Sequence, residues 1–194
     1  MSDPRLAAID RIYAETIRLH DAVRRASQAD VLRVVDLLAA AFRHGRRVLV
    51  FGNGGSASDA QHFAAEFVGR FQKERRAVAA IALTTDTSIL TAIGNDYAFD
   101  RVFARQIEGL GESGDVAIGI TTSGGSKNVV EALTMAKDRG LTTVAVTGRD
   151  GGDAGRIADV HLNVPDRSTA RVQEVHRTLL HVICDLVETS LSAA

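Results

Sequence analysis

Two pairs of polar residues whose side chains could bind a metal or transfer protons lie at helical spacing in distant parts of the chain. His62 and Glu66 are four residues apart, and Gln173 and His181 are eight residues apart near the carboxyl end. Residues at these spacings lie on one side of a helix. Two imidazoles, a carboxylate and an amide oxygen are suitable ligands for a divalent ion such as Zn²⁺, and the same groups can act as general acid and base. Spacing alone leaves metal binding, acid–base chemistry and a surface ion pair open.

Two segments rich in glycine and hydroxyl groups are candidate anion sites. Residues 53–56 (Asn-Gly-Gly-Ser) and 121–126 (Thr-Thr-Ser-Gly-Gly-Ser) each follow an apolar run and lead into a helical pattern. Hydroxyls and free N–H groups at a helix N-terminus attract a phosphate. Neither segment has the Walker lysine or the dinucleotide glycine pattern, so the predicted ligand is a small phosphorylated metabolite. The alternative is that Ser126 is a simple N-cap, with Gly124 and Gly125 forming only a turn.

The elements that must position these residues follow from apolar periodicity. Helical spacing predicts two helices within residues 1–45 and one long helix from about Thr169 to the end. Five short apolar runs predict strands at 48–51, 78–83, 116–120, 142–146 and 160–164, and because most of them do not alternate in polarity, buried parallel strands are expected. The predicted fold is α/β, a single doubly wound domain over residues 1–194 with a five-stranded parallel sheet flanked by helices. Such sheets bind ligands at the carboxyl ends of their strands.

Composition limits the function classes. The 194 residues are 45% hydrophobic and carry a net charge of −1, so the basic excess of a nucleic-acid-binding protein is missing. No uninterrupted apolar run reaches about 18 residues, so a membrane partner is not expected. The single cysteine, Cys184, cannot form an internal disulfide, and the first residues do not resemble a signal peptide. A reduced, cytoplasmic protein is therefore predicted.

Several other polar residues are predicted to have only structural roles. The run at 73–76 (Lys-Glu-Arg-Arg) is typical of a solvated loop, and His161 is predicted at the surface or in a loop. Cys184 lies among apolar residues, which indicates a small core side chain. Asn95 and Asp96 follow a glycine and are compatible with a simple turn.

The segment Gly-Asn-Gly-Gly-Ser-Ala at 52–57, followed by Asp-Ala-Gln-His-Phe-Ala-Ala-Glu at 59–66, resembles the signature of the phosphoheptose isomerases. The similarity continues in order over nearly the whole chain, through residues 82–87, 92–97, 122–124, 147–148, 151–152 and 172–176. Two positions depart from the usual family pattern. Thr121 stands where serine is usual, which keeps the hydroxyl, and Gly125 stands where asparagine is common.

The resemblance implies a sugar isomerase (SIS) domain in a homotetramer with one Zn²⁺ per site. The implied reaction converts sedoheptulose 7-phosphate to D-glycero-D-manno-heptose 7-phosphate, the first step of bacterial ADP- or GDP-heptose biosynthesis. The implied metal ligands are His62, Glu66, Gln173 and His181, and the implied acid–base pair is Glu66 and His181. The positions that match substrate-binding residues are Asn53, Gly54, Gly55, Glu66, Asn95, Asp96, Thr121, Thr122, Ser123, Ser126 and Gln173, with Ser56 as a further candidate.

The final helix is apolar over more than one stripe, which is typical of helices that meet between subunits. The helical pair at residues 1–45 is expected to serve assembly as well. Sites shared between subunits are therefore expected, with His181 supplied by a neighbour.

Two other functions remain as alternatives. One is a non-catalytic SIS-domain adaptor resembling the DnaA-associating protein of bacterial replication initiation, which lacks the acid–base pair. The other is a related isomerase acting on arabinose 5-phosphate or a hexulose 6-phosphate, and those enzymes lack the combined motifs at 53–66 and 172–176. The presence of Glu66 and His181 favours the heptose isomerase.

Overall fold

The computed structural model describes residues 3–192 and consists of a parallel sheet with helices on both faces. The strands are β1 (Val48–Gly52), β2 (Ala80–Ala82), β3 (Val116–Thr121), β4 (Thr142–Gly148) and β5 (Val160–Val164). The helices are α1 (Pro4–Ala26), α2 (Gln28–Arg43), α3 (Gly55–Val68), α4 (Thr87–Asp96), α5 (Ala104–Leu110), α6 (Lys127–Asp138), α7 (Gly152–Ile157) and α8 (Thr169–Ser192), with a short 3₁₀ turn at Phe99–Arg101.

The strand order is β2-β1-β3-β4-β5, and every neighbouring pair is parallel. After β1 the chain adds β2 on one side of β1, and it then adds β3, β4 and β5 in turn on the other side. The direction in which strands are added therefore reverses between β1 and β3. Gly52 is in register with Ile120 at this point. In doubly wound sheets a ligand crevice forms at this switch point, outside the carboxyl ends of the strands.

Alternate strand residues bury into two different cores. Val48 and Val50 of β1 point into a core built with α1, α2, α3 and α8. Leu49 and Phe51 point into a second core that includes residues of α4, α5, α6 and α7. Because both faces of the sheet are covered, the central strands β1 and β3 are buried at every position, whereas the edge strand β5 alternates between buried Val160, Leu162 and Val164 and half-buried His161 and Asn163.

The predicted fold class and all five strands are confirmed, and the differences lie at element ends. Thr121 is the last residue of β3 rather than part of a loop, and Gly55 and Ser56 form the first turn of α3. The second strand is only three residues long.

Two polar positions differ from their predictions. His161 lies in the edge strand β5 and not in a loop, and it is half-buried, with its Nε2 2.6 Å from the Thr147 hydroxyl. Arg75 was predicted in a solvated loop, but its side chain is only 5% exposed. Cys184 is buried, as predicted. No helix of residues 3–192 is long and apolar enough to cross a membrane.

Candidate active site

A cavity of about 280 Å³ lies at the switch point, between the carboxyl ends of β1 and β3. Its walls come from both glycine-rich segments and from α8: Asn53, Gly54, Gly55, Ser56, Ile120, Thr121, Thr122, Ser126, Thr169 and Gln173. A larger open depression of about 1000 Å³ lies around Arg149 and Asp166, but none of the predicted site residues lines it. The smaller cavity is therefore the candidate site.

A cluster of hydroxyl groups forms one wall of the cavity. Thr121 Oγ1 lies 2.9 Å from Ser126 Oγ and 3.2 Å from Ser123 Oγ. Ser126 occupies the N-cap position of α6, yet its side chain makes no capping hydrogen bond. The alternative of a simple N-cap is therefore wrong. The hydroxyls face one another, and the first amides of α6 lack a side-chain acceptor, which suits an anion.

The second helix N-terminus at the cavity is also without a side-chain cap. Gly54 is the N-cap of α3, with φ +54°, and no side chain accepts a hydrogen bond from the first turn. Two helix dipoles, those of α3 and α6, therefore direct their positive ends toward neighbouring parts of one cavity.

Asn53 and Asn128 hold the two sides of the switch point together. The Asn53 amide nitrogen donates to Asn128 Oδ1 at 2.8 Å, and the Asn128 amide nitrogen donates to Asn53 Oδ1 at 2.9 Å. Asn128 is buried in the first turn of α6. Asn128 was not among the residues predicted for the site. The sequence feature that could have indicated it is an amide side chain two residues after Ser126, in the first turn of a helix that follows β3.

Helices α3 and α8 lie side by side and run in the same direction. Arg177 of α8 pairs with the buried Asp59 of α3, with Nη2 at 2.5 Å and Nε at 3.1 Å from Oδ1. Further along both helices, His181 Nε2 lies 2.8 Å from His62 Nε2. The partners are 118 and 119 residues apart, so the two contacts form successive steps along one helix pair.

Glu66 completes this group within the same chain. Its Oε1 is 3.3 Å from His62 Nε2, one turn further along α3. The prediction that His181 comes from a neighbouring subunit is wrong for this contact, because His62, Glu66 and His181 meet in a single chain. Both His62 and Glu66 keep part of their surface exposed, so the group is open to a ligand.

The electrostatic surroundings favour a neutral His181. Burial lowers the pKa of this imidazole, and nearby His62 and Arg177 lower it further, whereas Glu66 and Asp59 oppose the shift. A neutral imidazole accepts a hydrogen bond at its free nitrogen. The contact at 2.8 Å is then a hydrogen bond in which one ring donates and the other accepts.

The donor types of this group suit a divalent cation, but their spacing is that of a hydrogen bond. Two nitrogens bound to one tetrahedral Zn²⁺ lie roughly 3.3 Å apart, given bonds of about 2.0–2.1 Å. His62 and His181 are 2.8 Å apart. Among residues 3–192, no three histidine, cysteine, aspartate or glutamate side chains already stand in a metal-binding arrangement. The two Nε2 atoms would have to move apart by about half an ångström to bind one Zn²⁺ together.

Gln173 lines the cavity and lies on α8, the helix that also carries His181. Its amide lies directly over Gly55, so a Cβ on that glycine would collide with the Gln173 side chain. Glycine at the start of α3 therefore permits Gln173 to reach the cavity wall. Gln173, Arg177 and His181 follow one another on the face of α8 that meets α3.

The structure does not bring every predicted residue to this cavity. Asn95 and Asp96 are the last residues of α4, both exposed, and the Asn95 amide donates to Asp96 Oδ1 at 2.8 Å. Neither residue lines the cavity, and His62, Glu66 and His181 lie further along α3 and α8 without lining it. Ser123 is one step removed from the cavity wall and contacts it through Thr121.

Known proteins resemble this chain over most of its length. The SIS domain family matches residues 12–148. The phosphoheptose isomerase of Geobacter metallireducens is 56% identical over 171 residues, which cover 88% of this chain and 90% of that protein. The phosphoheptose isomerase of Aquifex aeolicus is 54% identical over 183 residues, covering 94% of this chain and 96% of that protein.

Two solved structures match the fold as a whole. The phosphoheptose isomerase GmhA from Neisseria gonorrhoeae superposes with a TM-score of 0.90 at 44% identity, covering 95% of this chain and 98% of that chain. A phosphoheptose isomerase from Francisella tularensis superposes with a TM-score of 0.92 at 33% identity, covering 97% of this chain and 100% of that chain.

Proposed function

Because the chain belongs to the phosphoheptose isomerases of the SIS-domain family, we propose that it converts sedoheptulose 7-phosphate to D-glycero-D-manno-heptose 7-phosphate. The chain is an isomerase, and the reaction moves a carbonyl group from C2 to C1 of a sugar phosphate. The observation that carries the proposal is the meeting of Glu66, His62 and His181 on α3 and α8, the two helices whose first turns line a cavity at which two helix N-termini lack side-chain caps.

The 7-phosphate binds at the hydroxyl wall. Thr121 and Ser126 supply hydroxyl donors, and the first amides of α6 supply backbone donors. Hydrogen bonds to a charged acceptor are stronger than neutral ones. The site needs no lysine or arginine in the cavity wall, since helix dipoles and hydroxyls carry the attraction. Asn53, fixed by Asn128, binds sugar hydroxyls at the other wall.

Glu66 and His181 perform the proton transfers. A base removes a proton from C1 of the ketose, and an acid gives a proton to the C2 oxygen, which yields a cis-enediol. Return of a proton to C2 and loss of the proton from the C1 hydroxyl then give the aldose. His181, whose pKa is lowered by burial, is neutral at pH 7 and able to accept a proton. Glu66 contacts His62, and His62 in turn contacts His181.

His62, Glu66, Gln173 and His181 are the residues that would hold a zinc ion. Their two imidazoles, carboxylate and amide oxygen are donor types that zinc accepts. A bound divalent cation supplies Lewis-acid polarisation of a carbonyl and stabilises developing negative charge. Support for Gln173 in this role comes from its position on α8, two turns before His181, with its amide over Gly55 at the start of α3.

The active form is a homotetramer located in the cytoplasm. Support for assembly comes from α1, where Leu6, Ile9, Ile12, Tyr13 and Ile17 are exposed at helical spacing. Val182 and Leu186 of α8 are exposed as well. Exposed apolar side chains at helical spacing fit subunit contact better than solvent. Light scattering during size-exclusion chromatography tests this, and a monomeric active enzyme would refute it.

The substrate assignment is tested by offering a panel of phosphorylated ketoses and aldoses to the purified enzyme. We expect turnover of sedoheptulose 7-phosphate well above that of arabinose 5-phosphate and of a hexulose 6-phosphate. If the enzyme preferred one of the shorter sugars, that sugar phosphate and not the heptose phosphate would be its substrate. Absence of turnover with all of them would support the non-catalytic adaptor instead.

A further inference from the structure

A buried ion pair joins the loop after α3 to helix α8, outside the cavity. Glu188 of α8 is 0% exposed, and its carboxylate accepts hydrogen bonds from the backbone N–H groups of Phe71 at 3.0 Å, Gln72 at 2.7 Å and Lys73 at 2.7 Å. Arg75 Nε lies 3.3 Å from the same carboxylate. The three amides donate to the Glu188 carboxylate, and the guanidinium adds an ion pair in which Arg75 Nε makes no hydrogen bond within residues 3–192.

The Arg75 guanidinium also holds the C-terminal end of α3. Its Nη2 donates to the backbone carbonyl of Glu66 at 2.7 Å, and its Nη1 donates to the carbonyl of Phe67 at 2.9 Å. The last carbonyls of a helix have no partner within the helix, and a cation at this end is favourable. Arg75 therefore connects the backbone of Glu66 itself to the carboxylate of Glu188.

Glu188 and His181 lie on one side of the same helix. They are seven residues apart in α8, which is close to two full turns. Helices α3 and α8 are thus joined in two places, by His62 with His181 and by Arg75 with Glu188. Glu66 lies between the two connections, with its side chain near the first and its carbonyl held by the second.

We propose that Arg75 and Glu188 are positioning residues, which set the separation of Glu66 from His181. The inference rests on the proposed function, because those two residues are its acid–base pair. Neither Arg75 nor Glu188 lines the cavity, and Arg75 donates to the backbone carbonyl of Glu66, so the ion pair acts through Glu66. A buried ion pair is costly to desolvate, and an apolar pair would fill the same space with less penalty. A charged pair fixes the relative position of the two helices more closely than an apolar pair, since the guanidinium must face both the α3 carbonyls and Glu188.

Arg75→Lys is the variant that tests this role. Lysine keeps the charge facing Glu188 but lacks the planar set of donors that reaches two helix carbonyls at once. We expect kcat to fall by about 10- to 100-fold, as for a small misplacement of a reacting group. We expect KM for the sugar phosphate to change by less than roughly twofold, because the phosphate wall is built from β3 and α6.

Arg47→Lys is the matched control. Arg47 pairs with Asp115, whose side chain is 1% exposed, at the opposite, amino ends of β1 and β3. The two variants are compared by Tm and by kcat. The proposal expects a large loss of kcat for Arg75→Lys alone, at a comparable change of Tm. Equal losses of kcat in both variants would reduce Arg75 to a purely structural role and overturn the proposal.

Hydrogen exchange of the wild-type enzyme gives a test that does not depend on activity or on a variant that folds. The amides of Phe71, Gln72 and Lys73 should exchange as slowly as those inside α8, although they lie in a loop. In Glu188→Gln their exchange should accelerate. Rapid exchange in the wild type would overturn the proposal. An enzyme that protects these amides but does not isomerise heptose phosphate would contradict the proposed function and leave the ion pair's place intact.

Discussion

The imidazoles of His62 and His181 meet Nε2 to Nε2 at 2.8 Å, although 119 residues separate them in the chain. Glu66 Oε1 approaches the same nitrogen of His62 to 3.3 Å. The three side chains therefore share one small space, and a proton gained by one changes the hydrogen bonds of the others. This connection places a carboxylate and a neutral imidazole on two different helices, as a two-group proton transfer requires.

Replacing either member of the proposed acid–base pair should abolish most of the turnover. Glu66→Gln and His181→Gln keep size and polarity but remove the titrating group. We expect kcat to fall by about 10²- to 10⁴-fold for each, the usual contribution of a general acid or base. Steady-state kinetics with sedoheptulose 7-phosphate measure this, with circular dichroism as the check on folding.

His44→Gln serves as the control for these substitutions. His44 is exposed at the end of α2 and bonds only to a carbonyl of its own helix. Its replacement should leave kcat unchanged. Near wild-type turnover in both Glu66→Gln and His181→Gln would exclude them from the proton transfers.

Ser126→Ala should weaken substrate binding rather than chemistry. The Ser126 hydroxyl lines the cavity and contacts Thr121 instead of capping α6. Loss of one hydrogen bond to a charged phosphate costs about 1.5–3 kcal/mol, so KM should rise roughly 10-fold or more with kcat little changed. Thr134→Ala, at an exposed site of the same helix, is the control. An unchanged KM would remove Ser126 from the phosphate site.

Gly55→Ala should displace Gln173. A Cβ at this position would collide with the Gln173 amide, so the side chain must leave the cavity wall. We expect kcat/KM to fall roughly 10-fold, with little change in Tm. Gly109→Ala in α5 is the matched control, because its Cβ would meet no atom within 4 Å. That variant should keep full activity and gain up to about 1 kcal/mol of stability. Full activity of Gly55→Ala would show that Gln173 is dispensable.

The sheet and the two anion segments could be predicted from the sequence because they depend on local patterns. Five short apolar runs, most of them without alternation, predicted parallel strands, and all five strands formed. The segments at 53–56 and 121–126 follow β1 and β3, and the switch-point rule places those strand ends together. His62 and His181 were predicted as partners, although spacing alone did not choose between a metal, an acid–base pair and a surface pair.

The remaining features depend on contacts between distant residues, which spacing does not encode. Arg75 lies in a charged run that is typical of a solvated loop. Its side chain is nevertheless buried, because it pairs with Glu188, which comes more than a hundred residues later in the chain. Asn128 gains its role only because β1 and β3 are neighbours. The source of His181 was predicted wrongly for a similar reason, since the parallel packing of α3 and α8 in one chain decides it.

The pH dependence of stability should reveal Glu188. Burial raises the pKa of this carboxyl, but the N–H groups of Lys73, Gln72 and Phe71 and the Arg75 guanidinium outweigh it and lower the pKa below its ordinary value of 4.5. The folded protein then binds fewer protons than the unfolded chain. The stabilisation is complete above pH 4.5 and is lost as the pH falls through the lowered value.

Glu188→Gln gives the comparison for that measurement. Breaking a buried ion pair leaves Arg75 uncompensated and should cost about 3–5 kcal/mol at neutral pH. Glutamine does not titrate, so the gap between the two proteins should narrow as the pH falls below 4.5. Denaturant unfolding from pH 3 to pH 7 measures this. A constant gap across that range would mean that Glu188 is not ionised in the folded protein.

Removal of the metal should abolish most of the turnover. If His62, Glu66, Gln173 and His181 hold zinc, a chelator should reduce kcat by at least about 10²-fold, and added Zn²⁺ should restore it. Metal analysis of the untreated enzyme should find one ion per subunit. Full activity after exhaustive chelation, with no metal in the protein, would contradict the zinc proposal but leave the proton transfers in place.

The most direct measurement of the central claim follows sedoheptulose 7-phosphate by NMR in D₂O with the zinc-loaded enzyme. The account predicts loss of the ketose signals, growth of an aldose 7-phosphate and deuterium at its C2, because the proton returned there comes through an exchangeable side chain. Glu66→Gln and His181→Gln should show neither product nor deuterium over the same period. A folded, zinc-loaded wild-type enzyme that leaves the ketose unchanged, or variants that convert it at the wild-type rate, would contradict the account.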